Sequence, residues 1–370
     1  MSETSGSASH AKVSSEMVEV PAPDLPYQPP MPRAYTPRIG IVGAGGIVPA
    51  HLGAYRTAGW EVAAICNRTV SKAQALADEY YPDAQVTDDL ASVLADDRIE
   101  VLDITPHPEE RGPMIAAALN AGKHVLSQKP FVLDLDEGAR LADLADAKGV
   151  KLAVNQNGRW SPHMAWMREA VTAGLIGEVL SCHVAVHWDH GWIAGTAFDG
   201  IEDLILYDFG IHWFDFVASV MPGRARSVFA SSVRPDSQAA KVPLMAQAQV
   251  VMEGGQASLV FDGATPLGPR DTTFIAGAKG SLRSEGADLG RQVVTLTTPA
   301  GQSQPDLQGT WFNDGFRGAM GALLVAIEQG GEPANGARGN LDSLALAFAA
   351  IESRRTARSV DVGTVRRLSM

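Results

Sequence analysis

RIGIVGAGGIVPAHL, residues 38–52, is the stretch that decides the fold. Arg38–Val42 is a short apolar run suited to a buried strand, and it opens directly onto Gly43-Ala44-Gly45-Gly46. Pro49, which a helix tolerates in its first turn, then introduces a helix over 49–58. A glycine turn between strand and helix has a physical use. The first glycine permits the tight turn, and the second lets backbone approach a pyrophosphate at the positive end of the helix. Gly43, Gly45, Gly46 and Ile47 are therefore candidate phosphate contacts. The third glycine of the pattern would stand at Val48, so the turn departs from the full fingerprint.

Outward from that turn, strands and helices alternate. Glu61–Cys66 reads as a second buried strand and 71–80 as an amphipathic helix. Strands follow at 101–104, 124–127 and 151–155. Between them lie helices at 108–121, closed by Gly122, and at 134–148, ending at Gly149. This rhythm builds parallel βαβ units. The residue that would read the ribose is Asn67, followed by Arg68. An acid there would favour NAD. The neutral Asn67, with Arg68 and Lys72 able to face a 2′-phosphate, leaves NAD and NADP both open.

Beyond about residue 160 the rhythm breaks. A helix near 162–173 leads to an alternating strand at 179–188, a polar glycine-containing loop and a helix around 204–220. Strands at 225–234, 245–253, 256–262 and 272–276 follow, with EGGQ (253–256) as a hairpin turn. Helices near 314–329 and 339–355 close the chain. Consecutive strands without intervening helices imply an antiparallel or mixed sheet. The expected fold class is α/β, with an N-terminal Rossmann dinucleotide-binding domain (38–158). An α+β half (159–370) with the antiparallel or mixed sheet follows, and its last helices are expected to pack back on the first domain. Residues 1–37 are expected to be a Pro-rich tail, either disordered or an arm on a neighbouring subunit, because PAPDLPYQPPMPRAYTP (21–37) suits neither helix nor sheet. No apolar segment after Met1 suggests a secretory signal.

Lys+Arg is 30 and Asp+Glu is 42, so the net charge is −12. That balance disfavours a nucleic-acid backbone or an anionic membrane surface as partner. No apolar run approaches the roughly 20 residues of a membrane span, and two cysteines, Cys66 and Cys182, are too few for a disulfide framework. The expectation is a cytoplasmic protein acting on small molecules.

The chain resembles the Gfo/Idh/MocA family, the glucose–fructose oxidoreductases, inositol dehydrogenases and their relatives. The resemblance is carried by RIGIVGAGGIVPAHL (38–52), AICNRTVSKAQALA (64–77), VLDITPHP (101–108), AALNAGKHVLSQKP (117–130), VNQNGRW (154–160), GLIGEV (174–179), DFGIHWFD (208–215), WFNDGFRGAMGALLVAIEQGGEP (311–333) and GNLDSLALAFAAIESRRTARSV (339–360). It implies an NAD(P)-dependent oxidoreductase that moves hydride between the nicotinamide and a secondary alcohol or ketone of a sugar, polyol or sugar derivative. It also implies a Rossmann domain followed by a C-terminal α+β domain for substrate binding and oligomerisation, with a large, open-faced, mostly antiparallel β-sheet, and a homodimer or homotetramer packed through that sheet. The alternatives are a sugar or dinucleotide sensor without turnover, or a lyase, isomerase or glycosidase that uses tightly bound NAD transiently.

The family's Glu-Lys-Pro motif stands here as Gln128-Lys129-Pro130, and its Asp-x-x-x-His as Asp208 and His212. The resemblance thus implies Lys129, Asp208 and His212 as the catalytic set, with Asp208 and His212 also touching substrate. His212 is expected as principal acid/base and Lys129 as donor and proton relay, two roles that could be exchanged, with Asp208 orienting His212 or the substrate. Gln128 removes a charge beside Lys129, which is expected to leave the lysine pKa lower than a glutamate would. Thr105, Pro106, His107, Gln128, Lys129 and Asn157 join the glycine turn, Asn67 and Arg68 as expected cofactor contacts. Glu110 stands where many relatives have His. Arg159, Trp160 and His187 are expected at the substrate.

His183, His187 and Asp189 fall at period two on one strand, with His190 next. Together with Asp208 and His212 they could ligate a metal, but hydride transfer needs none, and no metal is expected. Trp160, Trp188, Trp192 and Trp311 recur near these segments and suit either core packing or the apolar faces of sugar rings.

Overall fold

The structure is a computed structural model that describes residues 17–369. It holds a sheet of six parallel strands: β1 (Arg38–Val42), β2 (Glu61–Cys66), β3 (Gln85–Thr87), β4 (Ile99–Ile104), β5 (His124–Gln128) and β6 (Leu152–Asn155). Their order across the sheet is β3-β2-β1-β4-β5-β6. Helices α1 (Val48–Ala58), α2 (Val70–Tyr80), α3 (Leu90–Ala95), α4 (Pro108–Asn120) and α5 (Leu135–Lys148) connect them. The central strands are apolar on both faces, and Ile39, Ile41, Val101, Leu102 and Leu126 are fully buried. That is the demand a sheet covered by helices on both sides makes. The strand order reverses between β1 and β4, which opens a crevice at the carboxyl ends of the strands.

From β6 the chain passes through a 3-10 turn, Asn157–Trp160, into α6 (Pro162–Thr172). The second sheet has nine strands: β7 (Val179–His187), β8 (Ala225–Val233), β9 (Met245–Met252), β10 (Gly255–Asp262), β11 (Arg270–Gly277), β12 (Ser281–Asp288), β13 (Arg291–Thr298), β14 (Gly301–Ser303) and β15 (Val360–Asp361). They are ordered β14-β13-β12-β11-β7-β10-β9-β8-β15. β7 and β10 run parallel and the other neighbours antiparallel. One face packs on α7 (Ile211–Val220) and α9 (Ala337–Thr356), burying alternate residues such as Ala246, Ala248, Val250 and Met252 of β9. The other face is open and carries Phe229, Val251, Phe274 and Val293, each more than two-fifths exposed.

Three differences from the expected elements matter. The strands β12 to β14 were not expected, because 281–303 mixes charged, glycine and threonine residues without clear alternation. The single helix expected over 204–220 is two pieces. A π-helical turn, Ile205–Phe209, closes with the Gly210 N–H donating to Ile205 O at 2.7 Å, and α7 follows. The Pro-rich segment is, in its described part, an extended strap along its own chain. Val20 N–H donates to Gln302 O, and Gln302 N–H to Val18 O, both at 2.8 Å. The N–H groups of Arg33, Ala34 and Tyr35 converge on the Glu328 carboxylate. What was expected of residues 1–16 lies outside the described residues.

The two sheets are joined by more than the linking turn. Helix α8 (Trp311–Gln329) follows β14 in the chain but packs against α1. Its Phe316, Met320, Leu323 and Leu324 share one apolar cluster with Ile39, Leu52, Tyr55 and Trp60.

Asp271 breaks the apolar rule on the covered face of β11. It is 1% exposed, and neither carboxylate oxygen has a hydrogen-bond partner. Burial pushes its pKa up to about 7. The folded value lies above the unfolded one, so the native state binds the extra proton and stability falls as pH rises from about 4 through 7. Asp271→Asn is expected to leave the melting temperature near wild type at about pH 4 and to raise it by several degrees at about pH 8. The same difference at both pH values would contradict this.

Candidate active site

The crevice between β1 and β4 is shaped by its glycines. Gly43 has φ of 107°, and a Cβ there would fall 2.2 Å from Thr105 Oγ1. Its N–H donates to Cys66 O at 2.8 Å, which turns the chain sharply at the strand end. Nothing lies within 4 Å of where a Cβ on Gly45 or Gly46 would stand. Helix α1 begins after Ile47 with no side-chain cap. Val48 N–H donates to Gly45 O and Ala50 N–H to Ile47 O, and Pro49 has none, so the N–H groups left for an anion are those of the turn itself, Gly45, Gly46 and Ile47. An uncapped helix start behind open glycines fits a dinucleotide pyrophosphate. Beside it is a cleft of about 210 Å³ lined by Gly43, Gly45, Asn67, Arg68, Thr105, Pro106 and His107. Asn67 donates to Thr69 O at 2.9 Å, and Arg68 pairs with Glu110 at 3.2 Å. Asp88 also lines the cleft, so its one arginine faces two acids.

Lys129 follows the last residue of β5. Its Nζ donates to the Asp208 carbonyl at 2.9 Å and forms an ion pair with Asp208 Oδ1 at 3.1 Å. Asp208 lies in the π turn. Such turns re-register the backbone bonds and are frequent at functional sites. Here the arrangement lets one residue offer both side chain and carbonyl to the ammonium. His212 follows one turn later on α7. Its ring meets Trp311 edge-on, with centroids 5.3 Å apart, and its buried Nδ1 has no hydrogen-bond partner. Gly158 permits this packing, since a Cβ there would stand 3.2 Å from His212 Nδ1 and 3.1 Å from the Trp311 ring. Burial, aided by the Lys129 charge, pushes the His212 pKa well below its ordinary value. The imidazole is therefore neutral near pH 7 and able to accept a proton.

The other expected site residues divide. Gln128 is buried behind Lys129, and Asn157 is buried in the turn beside Gly158. Arg159, Trp160 and His187, expected at the substrate, are engaged with other partners in this structure. Arg159 forms a bidentate pair with Asp215 (2.7 and 2.8 Å) and also donates to Ala334 O. Trp160 is buried against α8 at Gly318, Ala319 and Ala322. His187 points to the open face, 3.5 Å from Asp262, and His183 bonds Ser258 on that face. A residue's nearness in sequence to a site does not fix the direction of its side chain. Among the described residues no group of three His, Cys, Asp or Glu is placed to hold a metal.

Further residues beyond the expected catalytic and cofactor set shape the site. His190 is 6% exposed and stacks on Trp188, which stacks on Phe209. Burial pushes its pKa down to about 4, with Asp208 and Lys129 close enough to act on it. It was read only as a metal candidate. Trp192 meets His190 and Phe198 edge-on, and Phe198 meets His107 of the first domain. Arg111, 1% exposed on α4, donates to Pro106 O, Ser127 Oγ and Pro130 O, and so ties the cofactor-side turn to the lysine segment. A polar cluster of His51, Tyr55, Asp103 and Asn155 lies behind Gln128. The signal for it was present: His51 and Tyr55 stand four apart on α1, facing an aspartate within a buried strand.

Comparison with known proteins agrees with this geometry. Residues 37–156 match the model of an oxidoreductase family with an NAD-binding Rossmann fold, and residues 164–283 match the GFO/IDH/MocA C-terminal domain. A D-apiose dehydrogenase of Paraburkholderia graminis is 26% identical, with 87% of this chain and 88% of that protein covered. An inositol 2-dehydrogenase of Rhizobium meliloti is also 26% identical, over 88% of this chain and 99% of that one. An oxidoreductase from Agrobacterium radiobacter, solved in complex with NAD+, L-tartaric acid and magnesium, shares the fold. Its TM-score is 0.76 at 22% identity, over 89% of this chain and 99% of that one.

The Arg159 pair generates a stability prediction. Asp215 is buried and also accepts from Ser343 Oγ at 2.8 Å. Arg159→Met strands that carboxylate and is expected to cost roughly 3–5 kcal/mol of stability, while the folded protein keeps its cofactor affinity. Unchanged urea unfolding, or a selective loss of cofactor binding, would contradict this.

Proposed function

The chain belongs to the Gfo/Idh/MocA oxidoreductase family, and from that premise we propose that it is an NAD(P)-dependent dehydrogenase or reductase acting on a secondary alcohol or ketone of a sugar, polyol or sugar derivative. One observation carries the reading: Lys129 and Asp208 meet from a β-strand end and a π turn at the carboxyl edge of the sheet that holds the glycine turn, with His212 one turn further on and near enough for the Lys129 charge to lower its pKa. The relatives named above act on a branched sugar and a cyclic polyol by their names.

The dinucleotide is NAD or NADP, held by Gly43, Gly45, Gly46 and Ile47 at the pyrophosphate and by Asn67 and Arg68 at the ribose. Thr105, Pro106, His107, Gln128, Lys129 and Asn157 complete its contacts. When bound, it supplies the acceptor or donor of hydride. The protein's own residues handle the proton and the oxygen. Lys129 donates a hydrogen bond to the carbinol oxygen and stabilises the negative charge that develops there. His212, neutral at rest, takes the hydroxyl proton. Asp208 holds the lysine ammonium and orients it. Trp188 and Trp192 offer flat faces to the sugar ring beside the reacting carbon, with the buried His190 packed between them.

The first domain is taken as residues 38–158 and the second as 159–370. The open sheet face is proposed as the interface of a homodimer or homotetramer, because exposed apolar residues such as Phe229 and Val251 lie on it together. A cytoplasmic location goes with this reading, since Cys66 and Cys182 are free thiols.

Absorbance at 340 nm with NAD+ or NADP+ and a panel of polyols tests the activity. His212→Ala is expected to keep cofactor binding, and both His212→Ala and Lys129→Met are expected to lose about 10²–10⁴-fold in turnover. The acid limb of the wild-type kcat/KM profile is expected below about pH 6, since His212 stays unprotonated there. Wild-type turnover in either variant would contradict the assignment. For the interface, Phe229→Asp is expected to yield monomers by light scattering. Unchanged mass would contradict that contact.

A further inference from the structure

Behind the lysine lies a buried hydrogen-bond chain that the proposed chemistry does not use. His51, Tyr55, Asp103 and Asn155 are fully buried, and Gln128 is 5% exposed. The direction of every bond in this chain follows from one group that can only donate, the backbone N–H of Lys129. It lies 2.7 Å from Gln128 Oε1, so that atom is the amide oxygen. Asn155 Nδ2 donates to the same oxygen at 3.1 Å. The Gln128 amide nitrogen then faces His51 Nε2 at 3.2 Å, and Asn155 Nδ2 faces it at 3.3 Å. Both neighbours of Nε2 bring hydrogens, so Nε2 must be the bare, accepting nitrogen. The ring proton is on Nδ1, which lies 2.6 Å from Asp103 Oδ2. Tyr55 O–H donates to that same carboxylate oxygen at 2.6 Å.

We propose that His51 is a positioning residue, locked by Asp103 as the neutral Nδ1–H tautomer, whose bare Nε2 orients the Gln128 amide and thereby seats Lys129 beside Asp208. The glutamine at 128, where the family motif has glutamate, is the matching half of this device. A carboxylate at 128 would present a lone pair to His51 Nε2 as well as to the Lys129 N–H. The ring would then need a proton on both nitrogens. With glutamine, the cluster holds one carboxylate, Asp103, and a neutral ring. The inference takes Lys129 as a site residue, as the preceding section does, but its primary test needs no substrate.

That test is 15N–1H NMR of the full chain with labelled histidine near pH 7, the His51 signals being assigned by their loss in His51→Gln. The expected spectrum has Nδ1 protonated and Nε2 bare in the wild type, and both nitrogens protonated in Gln128→Glu. A wild-type ring protonated at Nε2, or a Gln128→Glu ring that stays bare there, would overturn the proposal. Kinetics add a second arm with the polyol that the wild type oxidises. Asp103→Asn keeps an oxygen that accepts from Nδ1–H and is expected to stay within a few-fold of wild type in kcat. Asp103→Leu keeps the volume but not the acceptor. It is expected to lose on the order of 10²-fold in kcat with KM for the cofactor unchanged. Equal kcat in the two variants would also overturn the proposal. If no polyol is turned over by the wild type, the functional reading fails, while the tautomer result still decides this one.

Discussion

The contact on which the site depends is the one between the Lys129 ammonium and Asp208. Lys129 stands at the end of a strand in the first sheet, and Asp208 stands in the π turn of the second unit. The ammonium is held by both the carboxylate and the carbonyl of one residue, at 3.1 and 2.9 Å. At 16% and 31% exposure the two side chains are partly shielded from water, so their attraction is stronger than that of a surface pair. A lysine held from two directions is a charge fixed in space, which is what stabilising an alkoxide requires. The π turn supplies the geometry. An uninterrupted α-helix over 204–220 would give the residues around Asp208 a different backbone hydrogen-bond register.

Each neighbouring structure serves that contact. Arg111 links the turn after β4 to the segment after β5, so the cofactor-facing and lysine-bearing loops are one unit. Helix α8 has a double role. Its first residue, Trp311, walls the His212 ring, and its later residues bury themselves against α1. The strap of residues 17–37 reaches the chain just before α8, where Gln308 N–H donates to Tyr27 O–H at 2.9 Å, and reaches Glu328 within α8. The histidine is thus enclosed by a helix anchored to the cofactor domain and bound by the N-terminal segment. Its lowered pKa is a direct result of that enclosure.

Much of the first half was legible because its signals are local. Apolar runs of five or six residues, Gly122 and Gly149 closing helices, and glycines after β1 each state their role without reference to distant residues. Legibility fell where the answer depended on facing direction. Arg159 looked like a ligand contact, yet Asp215, 56 residues away, takes its guanidinium. His187 alternates correctly along its strand, but sequence does not say which face of the sheet meets the site. The π turn depends on hydrogen-bond register, which leaves no mark in composition. The acidic net charge of −12 is compatible with a dinucleotide, because the site proposed for its pyrophosphate consists of backbone N–H groups and not of lysines.

The most direct measurement of the central claim is a crystal structure of the protein with NADH and a polyol or sugar that it turns over. The account predicts the carbinol oxygen at roughly 3 Å from both Lys129 Nζ and a ring nitrogen of His212, a distance set by proton transfer, with Asp208 still holding the ammonium. A carbinol oxygen that contacts neither side chain, or a Lys129 directed away from Asp208 in the complex, would contradict it.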